Sequence, residues 1–516
     1  MDGFRVFMNC VCMCIFAAGP MRLSDFAMLG NNMGGGISVV PLVHGDPVPA
    51  VIASAPLPHS DIPNSRESCL EILNCEIADS HSCAVAPSAA HALPLWSWQA
   101  TLAPEANHDD WKLGAAVSIY ERTIAVGPAR DWDIGVDQGG VQLYTCIGEK
   151  WLQSSGIFHP NGDMHAQFGA CVALRNHMLL VGAPRDSAMA FQSGAAFLYE
   201  QVDDEWQLNA TLVRSTANDA DQFGASVALD ENTLVIGAPK ADQGAMDSGA
   251  VEVFERDAHG WHNVSTLVSN PPIAGALFGL SVAIDAGHIL IGAPGDRTDG
   301  AMSGRVFLFT RGANGWTLDT TLSCPFGIRG WFGTSVALNQ DCVLVGAPRL
   351  TRPHLTDFDA RGAAFEFQHT SDGWRHVSTI MPANSLQGDS FGCSLALHKQ
   401  HAVFGASTDS LAGRLAGTAF AGTRLKNGGW NVERLRAPDS AEQQLAGHTV
   451  GIWNSRIVVG RLGNPEEEPP PGAVSVFTIL PLQRDQKEAP TTSPMGAEAA
   501  PYNCSITFRP SSMVTH

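Results

Sequence analysis

The sequence predicts an all-β fold over residues 95–480, a seven-bladed β-propeller with four antiparallel strands in each blade. The stretch from Trp206 to Trp261 contains four short apolar runs separated by Gly, Pro, Asp and Asn, a pattern typical of four consecutive antiparallel strands. The pattern recurs seven times, and its opening Trp returns every 55 to 58 residues. Four-stranded units at such a period pack radially as blades, which leaves only short and protected sheet edges.

Four landmarks keep one register through the seven copies. The opening Trp lies at positions 96, 151, 206, 261, 316, 374 and 430. The Gly of a Phe-Gly pair lies at 114, 169, 224, 279, 333, 392 and 447, and the Gly of a Gly-Ala-Pro triplet at 127, 182, 237, 292, 346, 405 and 460. The closing aromatics are Tyr144, Tyr199, Phe254, Phe309, Phe367, Phe420 and Phe477.

Each landmark has a structural role in a blade. The Gly of Phe-Gly allows a close backbone approach where the chain enters the first strand. The Pro of Gly-Ala-Pro has no N–H to donate and therefore ends the second strand. The preceding aromatics are predicted to be buried between sheets, each worth roughly 2–3 kcal/mol; they are Phe168, Phe223, Phe278, Phe332 and Phe391.

The ends of the repeat array predict how the ring closes. A Trp strand, Leu95–Leu102, precedes the first Phe-Gly position without a blade of its own, whereas the last strand, Gly472–Leu480, has no Trp strand after it. We therefore expect the N-terminal strand to complete the seventh blade as its outermost strand, because an uncovered sheet edge promotes aggregation.

Several copies carry a family resemblance. Residues 223–239, 278–294 and 332–348 read F-G-A-S-V-A-L…L-V-I-G-A-P, F-G-L-S-V-A-I…I-L-I-G-A-P and F-G-T-S-V-A-L…V-L-V-G-A-P. They resemble the FG-GAP repeats of the integrin α-chain propeller and its microbial relatives. The resemblance covers 95–480 and weakens at its ends, where Leu113-Gly114 and Ala446-Gly447 replace Phe-Gly. It implies ligand binding or adhesion outside the cytoplasm, in a secreted or cell-surface protein, without naming a ligand.

Composition and the terminal segments bear on location and partners. A formal charge of −20 with 16% charged residues argues against nucleic acid and anionic membranes as partners. Residues 1–20, with Arg5 before the apolar run Val6–Gly19, resemble a secretory signal peptide, and no other stretch is long enough to span a bilayer. Residues 21–94 are predicted to be a poorly ordered extension with one short helix near Glu67–Ala78, and residues 481–516 a disordered tail.

Cysteine and serine positions do not indicate catalysis. In an oxidising compartment the cysteines of the N-terminal extension and the tail could pair with one another, but spacing does not fix the connectivity; they are Cys69, Cys75, Cys83 and Cys504. The repeated serines lack the last Gly of a nucleophile elbow, and Cys171 occupies their position in one copy. We interpret all of these as structural residues; they are Ser226, Ser281, Ser335 and Ser394.

Carboxylates are predicted to collect on one face of the disc, because they precede Phe-Gly or follow Gly-Ala-Pro. The calcium loop that integrin-type propellers often place between these landmarks is absent, since the hairpins here are too short to supply six oxygen ligands. One alternating set, Asp131, Asp133 and Asp137, remains as a calcium candidate beside the interpretation of a solvated loop. We expect no other cofactor and little effect of calcium on stability.

A single insertion marks a candidate ligand site. Twelve residues separate the Gly-Ala-Pro Gly from the next landmark Gly in six copies, but sixteen do so in the fifth, from 346 to 362. Arginine beside exposed aromatics is the composition of a binding hot spot, although a tolerated surface insertion explains the length equally well. The candidate residues, including those of the neighbouring inter-blade loop, are Arg329, Trp331, Arg349, Arg352, His354, Asp357, Phe358, Asp359 and Arg361.

These observations favour a monomeric, non-catalytic binding or adhesion module that recognises a protein or carbohydrate. A structural repeat domain of a surface assembly is the alternative, and a propeller hydrolase or lyase is a third, although no catalytic constellation stands out. Three glycosylation sequons begin at Asn209, Asn263 and Asn503.

Overall fold

The structure is a computed structural model that describes residues 26–30, 37–41, 96–103, 113–128, 139–162, 165–300, 302–326, 329–340, 342–350, 361–382, 385–426, 428–440, 442–463 and 472–479. The expectations for a signal peptide, for a helix at Glu67–Ala78, for the four paired cysteines and for the tail lie outside these residues. The chain divides into two compact units, 1–88 and 89–516. In the first unit, β1 (Phe26–Gly30) pairs antiparallel with β2 (Ile37–Pro41), strands that the sequence did not predict.

The second unit confirms the predicted fold class. Its described residues form seven sheets, each of four antiparallel strands, and contain no helix that could cross a membrane. In six sheets the four strands follow one another along the chain, with each neighbour in sequence also the neighbour in the sheet. The unit is a seven-bladed β-propeller.

The strands of each blade are given from the axis outwards. Blade 1 contains β4 (Leu113–Tyr120), β5 (Thr123–Pro128), β6 (Gly140–Ile147) and β7 (Lys150–Phe158); blade 2 contains β8 (Cys171–Arg175), β9 (Met178–Ala183), β10 (Ala195–Val202) and β11 (Glu205–Leu212). Blade 3 contains β12 (Ser226–Leu229), β13 (Thr233–Ala238), β14 (Ala250–Asp257) and β15 (Gly260–Leu267); blade 4 contains β16 (Ser281–Asp285), β17 (His288–Ala293), β18 (Arg305–Gly312) and β19 (Gly315–Ser323). Blade 5 contains β20 (Ser335–Asn339), β21 (Cys342–Ala347), β22 (Ala363–Thr370) and β23 (Gly373–Ile380); blade 6 contains β24 (Phe391–His398), β25 (His401–Ala406), β26 (Thr418–Arg424) and β27 (Trp430–Arg434). Blade 7 contains β28 (Val450–Trp453), β29 (Arg456–Arg461), β30 (Ala473–Ile479) and β3 (Trp96–Leu102).

The predicted closure of the ring is confirmed. Strand β3 lies beside β30 with Trp96 opposite Ile479 and Leu102 opposite Val474. Trp96 and Leu102 lie at the two ends of β3 and are both buried. Trp96 packs in the hydrophobic cluster between blades 6 and 7, and Leu102 packs in the cluster between blades 7 and 1. Strand β3 continues along the chain into blade 1 and is hydrogen-bonded to β30 of blade 7, so it joins the first and last blades of the ring.

The regular spacing of glycines along the repeats has a physical cause in the contacts between blades. A Cβ added to Gly237 would lie 2.1 Å from the carbonyl oxygen of Gly279, which belongs to the Phe-Gly pair of the next blade. The same approach, at 2.0 to 2.2 Å, occurs at all seven blade junctions. The pairs are Gly127 with Gly169, Gly182 with Gly224, Gly237 with Gly279, Gly292 with Gly333, Gly346 with Gly392, Gly405 with Gly447, and Gly460 with Gly114. Any side chain at the first member of a pair would force neighbouring blades apart.

Side-chain hydrogen bonds connect the first strands around the axis. Ser226 Oγ donates to the Gly279 carbonyl oxygen at 2.7 Å, so the repeated serine serves the contact between blades, as the sequence favoured. Cys171 takes the same place, with its Sγ 2.9 Å from the Gly224 oxygen. Equivalent bonds of 2.7 to 3.0 Å come from Ser281, Ser335, Ser394 and Thr449.

The hydrophobic core lies between sheets. One cluster combines Leu180 and Leu198 of blade 2 with Leu234 and Ile236 of blade 3 around the fully buried Phe223. The other predicted anchors, Phe168, Phe278, Phe332 and Phe391, are also fully buried, and Leu113 replaces the aromatic in blade 1. Each blade therefore depends on its neighbours for burial, which leaves the loops at the ends of the strands to vary.

Candidate functional site

One side of the disc, here called the loop face, is formed by the loops between second and third strands together with the loops between blades. Because adjacent strands run in opposite directions, both kinds of loop emerge at the same end of the blades. Main-chain hydrogen bonds join them: Ala220 N donates to the Phe191 oxygen and Gly275 N to the Met246 oxygen, both at 2.8 Å. The loop face is therefore held by the backbone in an equivalent way from blade to blade.

Trp331 and Arg349 meet on this face at the junction of blades 4 and 5. The Arg349 guanidinium carbon lies 4.5 Å from the centre of the Trp331 ring, within the range of a cation–π contact. Arg349 N donates to the Gly330 oxygen at 3.2 Å, and Trp331 N donates to the Met302 oxygen at the same distance. The pair is thus fixed by its own main chain, while the Arg349 side chain remains exposed and Trp331 is half-buried.

Met302 completes this cluster. The Trp331 indole Nε1 lies 3.3 Å from Met302 Sδ, and the Met302 side chain is 41% exposed. A charged planar group, an aromatic ring and a flexible thioether are therefore presented together. We call Met302, Trp331 and Arg349 the Trp331 cluster.

The structure brings together only part of the predicted ligand set. Arg329, Trp331 and Arg349 lie at one junction, with Arg329 exposed. Arg361 instead donates from Nη1 to the Ser385 oxygen at 2.7 Å, so it holds the inter-blade loop that leads into blade 6. Arg352, His354, Asp357, Phe358 and Asp359 lie outside the described residues, as do the calcium candidates Asp131, Asp133 and Asp137.

Sequence reasoning missed the apolar residues of the loop face. Phe191 is 64% exposed, Met246 is 69% exposed, and with Met302 they occupy the loops of blades 2, 3 and 4 just before the landmark glycine of each third strand. We call Phe191, Met246 and Met302 the apolar arc. Exposed large apolar side chains in the corresponding loops of neighbouring blades are candidates for an interaction surface. Phe191 and Met246 share one place in the repeat, three residues before Gly194 and Gly249, whereas Met302 lies two residues before Gly304. The repeat register was therefore an available signal for the first two residues.

Several of the carboxylates predicted for this face are buried rather than exposed. Asp186, Asp221, Asp296 and Asp389 are at most 3% exposed, whereas Asp219, Asp242, Asp247 and Asp299 reach the surface. The buried acids serve the framework, since a carboxylate removed from water needs a partner. Asp221, for example, binds the fully buried Arg214 at 2.5 Å.

Asp389 is a buried acid whose hydrogen-bonding capacity is only partly satisfied. Its Oδ2 accepts a hydrogen bond from Leu386 N, but its Oδ1 has no partner among the described residues. Burial, and secondarily the nearby Asp409, raises the pKa of Asp389 to about 6, against the hydrogen bond from Leu386 and the charges of Arg434 and Arg361. At neutral pH the Asp389 carboxylate is therefore ionised although it is buried, which lowers the stability of the folded protein.

Replacement of Asp389 by asparagine should consequently stabilise the protein at pH 7.5, by about 3 kcal/mol at most. Because the pKa is higher in the folded state than its ordinary value of 3.8, the folded state holds the proton between about pH 4 and 6, and stability falls as the pH rises through that window. The advantage of Asp389→Asn should shrink on acidification and vanish below about pH 4. Melting temperatures of both proteins across this range test it, and a variant less stable than the wild type at pH 7.5 would contradict it.

One shallow groove lies at the outer rim of the propeller. The groove, of about 260 Å³, lies between β23 and β27 and is lined by Ser378, Thr379, Ile380, Met381, Pro382, Trp430 and Val432. This volume is below the usual range of small-molecule pockets, and its lining contains no acidic or basic side chain. The described residues also contain no group of three or more His, Cys, Asp or Glu side chains placed to hold a metal ion.

Comparison with known sequences fixes the kind of repeat. A family profile described as FG-GAP repeat matches residues 151–199, 206–254 and 261–309. The chain contains FG-GAP repeats. Each matched span begins at an opening Trp and ends at a closing aromatic, so one FG-GAP unit supplies the outer strand of one blade and the first three strands of the next. The resemblance to FG-GAP repeats inferred from the landmarks is thereby confirmed within residues 151–309.

Other comparisons add little. No curated protein matches the chain. Among solved structures, the chain is similar to the structure of the Neurospora crassa Pan2 WD40 domain, with 9% identity over 74% of this chain and 95% of that chain and a TM-score of 0.46. A likeness at that level carries no argument about function.

Proposed function

We propose that this FG-GAP propeller is a non-catalytic binding module at the cell surface or outside the cell, which recognises a protein or glycan through its loop face. The FG-GAP propeller fold in general supports protein binding, and FG-GAP repeats are typical of extracellular proteins. The similarity of residues 1–20 to a secretory signal supports the same location.

The observation that carries the proposal is the Trp331 cluster. Tryptophan and arginine are enriched among the residues that dominate binding energies. Here they are already in contact, at 4.5 Å, and both main chains are hydrogen-bonded to neighbouring loops. Because little conformational freedom remains to be lost, binding at this cluster costs less entropy than binding at a flexible loop.

The apolar arc extends the same surface away from the cluster. Methionine side chains adapt to partners of different shape, which suits a surface that recognises protein. An acidic side chain lies at the blade 2 end of the apolar arc, where Asp219 Oδ1 accepts a hydrogen bond from Phe191 N at 3.1 Å. Arg329 and Arg349 supply positive charge at the near end. A partner segment with apolar side chains and an acidic group near the two arginines fits this arrangement best.

The test is to screen the full chain against arrays of purified extracellular proteins and glycans. Any ligand found is then measured against a variant carrying Trp331→Ala and Arg349→Ala. We expect the affinity to fall at least about tenfold, equal to about 1.4 kcal/mol, with a modest fall in melting temperature, because Arg349 is exposed and Trp331 is only half-buried.

Arg256→Ala is the matched control. Arg256 also lies over a tryptophan, 5.8 Å from the ring centre of Trp261, but at the outer strands of blade 3 and away from the loop face. Equal affinity losses in the control and the double variant, or no loss in either, would rule out recognition at the Trp331 cluster.

A further inference from the structure

Two glycosylation sequons lie in neighbouring blades of the propeller. Asn209-Ala-Thr is in β11 and Asn263-Val-Ser is in β15, each near the opening Trp of its outer strand. By sequence alone the two are equivalent, because an acceptor asparagine followed two positions later by a hydroxyl residue is all that the pattern requires. The strand register separates them.

Asn209 is the extra residue of a β-bulge. Strand β10 pairs Leu198 with Ala210 and Tyr199 with Leu208, so Asn209 lies opposite no partner. Its side chain is exposed and makes no hydrogen bond within the described part of the chain. The bulge position recurs three residues after the opening Trp in other blades, and the residues there face solvent in blades 1 to 5: Ser154, Asn209, Val264, Asp319 and Val377. The bulge in the outer strand therefore places a solvent-exposed side chain at the same position in each of these blades.

Asn263 lies one residue before the bulge position, and its side chain makes a hydrogen bond within the blade. It pairs with Phe254, and Val264 is the extra residue. The Asn263 Nδ2 atom donates to Glu252 Oε2 at 2.7 Å, and Thr266 Oγ1 donates to the same oxygen at 2.7 Å. The glycosylation nitrogen is therefore in contact with a buried carboxylate.

Glu252 makes this contact important. It is 3% exposed, and its other oxygen binds Arg214 Nε at 3.0 Å. Loss of a partner from a buried charged group costs more than the bond itself contributes, because the remaining group stays out of water. The Asn263 side chain reaches the surface, but a sugar attached to Nδ2 would replace one of its two hydrogens and crowd the nitrogen that donates to this carboxylate beside Thr266.

We propose that Asn209 is an acceptor for an N-linked glycan in the folded, exported protein and that Asn263 is not. The inference rests on the extracellular location in the proposed function. In the transfer, Asn209 Nδ2 forms a bond to C1 of a sugar on a lipid-linked oligosaccharide diphosphate of the host; the C1–O bond to the diphosphate breaks, the lipid diphosphate leaves, and the amide loses one proton. Chains modified at Asn263 before folding are expected to be lost from the folded fraction.

The test produces the full chain in a eukaryotic secretory pathway behind a foreign signal peptide. Glycan occupancy at each asparagine is measured by peptide mapping before and after enzymatic removal of N-glycans. Thr211→Ala and Ser265→Ala remove one sequon each while both asparagines stay in place. Val264→Asn creates Asn-Ser-Thr with the new asparagine at the bulge of blade 3.

We expect Asn209 to be occupied in the secreted wild type and in Ser265→Ala, and the glycan at this site to disappear in Thr211→Ala. Residue 264 should be occupied in Val264→Asn, whereas Asn263 should be bare in every secreted protein. Secreted protein without glycan at Asn209, or with Asn263 occupied as fully as Asn209, would overturn the proposal. Because the signal is foreign, that failure would leave the loop-face proposal standing; its binding test uses protein freed of glycans.

Discussion

Gly237→Ala is expected to destabilise the propeller by about 3 kcal/mol or more, since inserting atoms into a closed contact forces backbone shifts. The added Cβ would meet the Gly279 oxygen at 2.1 Å and Ser226 Oγ at 2.3 Å, and the first of these atoms is main chain that cannot rotate away. With an unfolding entropy of about 2.1 cal/mol/K per residue over about 380 residues, this corresponds to a fall in melting temperature of about 4 °C.

Gly312→Ala is the matched control for this change. Gly312 ends β18 at the exposed side of blade 4, and the nearest atom to an added Cβ is the Gly315 oxygen at 3.7 Å, an ordinary contact. Its replacement should alter stability by less than about 0.5 kcal/mol. Equal melting temperatures for the two variants would show that the approach between blades is not what requires glycine.

Deletion of Trp96–Leu102 is expected to abolish stable folding or to cause aggregation. It uncovers the edge of β30 and removes two buried apolar side chains, Trp96 and Leu102, together worth about 5 kcal/mol. It also removes the hydrogen bond from Trp96 N to Glu433 Oε1, at 3.0 Å, which joins β3 to blade 6.

Size-exclusion chromatography and thermal unfolding measure this outcome. Ser97→Ala, which keeps the strand and loses only a weak 3.4 Å bond to the Thr478 oxygen, should behave as the wild type. A deletion variant that stays monomeric and unfolds at the wild-type temperature would show that β3 does not close the ring.

Local repetition made the propeller predictable from the sequence. Each landmark combines a residue type with one physical role, so the register of Trp, Phe-Gly and Gly-Ala-Pro predicts strands, blade count and the closing strand. The same register could not show that Gly237 opposes Gly279, because the contact joins different copies and depends on how blades pack. Spacing shows which position recurs, but not what lies against it.

The candidate site was predicted less completely for a related reason. Trp331 and Arg349 were identified from composition, but Met302, whose sulfur lies beside the indole, comes from the preceding blade. The burial of Asp221 was not predictable either, since its partner Arg214 could equally have faced water. Side-chain partners across a blade junction are set by packing, whereas hydrophobic periodicity reports only on single strands.

Backbone amide exchange in the presence of the ligand tests recognition at the loop face most directly. The account predicts slower exchange in residues 302–304, 330–335 and 349–350, and unchanged exchange in the hairpins at the opposite ends of the blades, such as residues 230–233 and 285–288. Slower exchange confined to those hairpins or to the outer strands, with the Trp331 cluster unaffected, would contradict it.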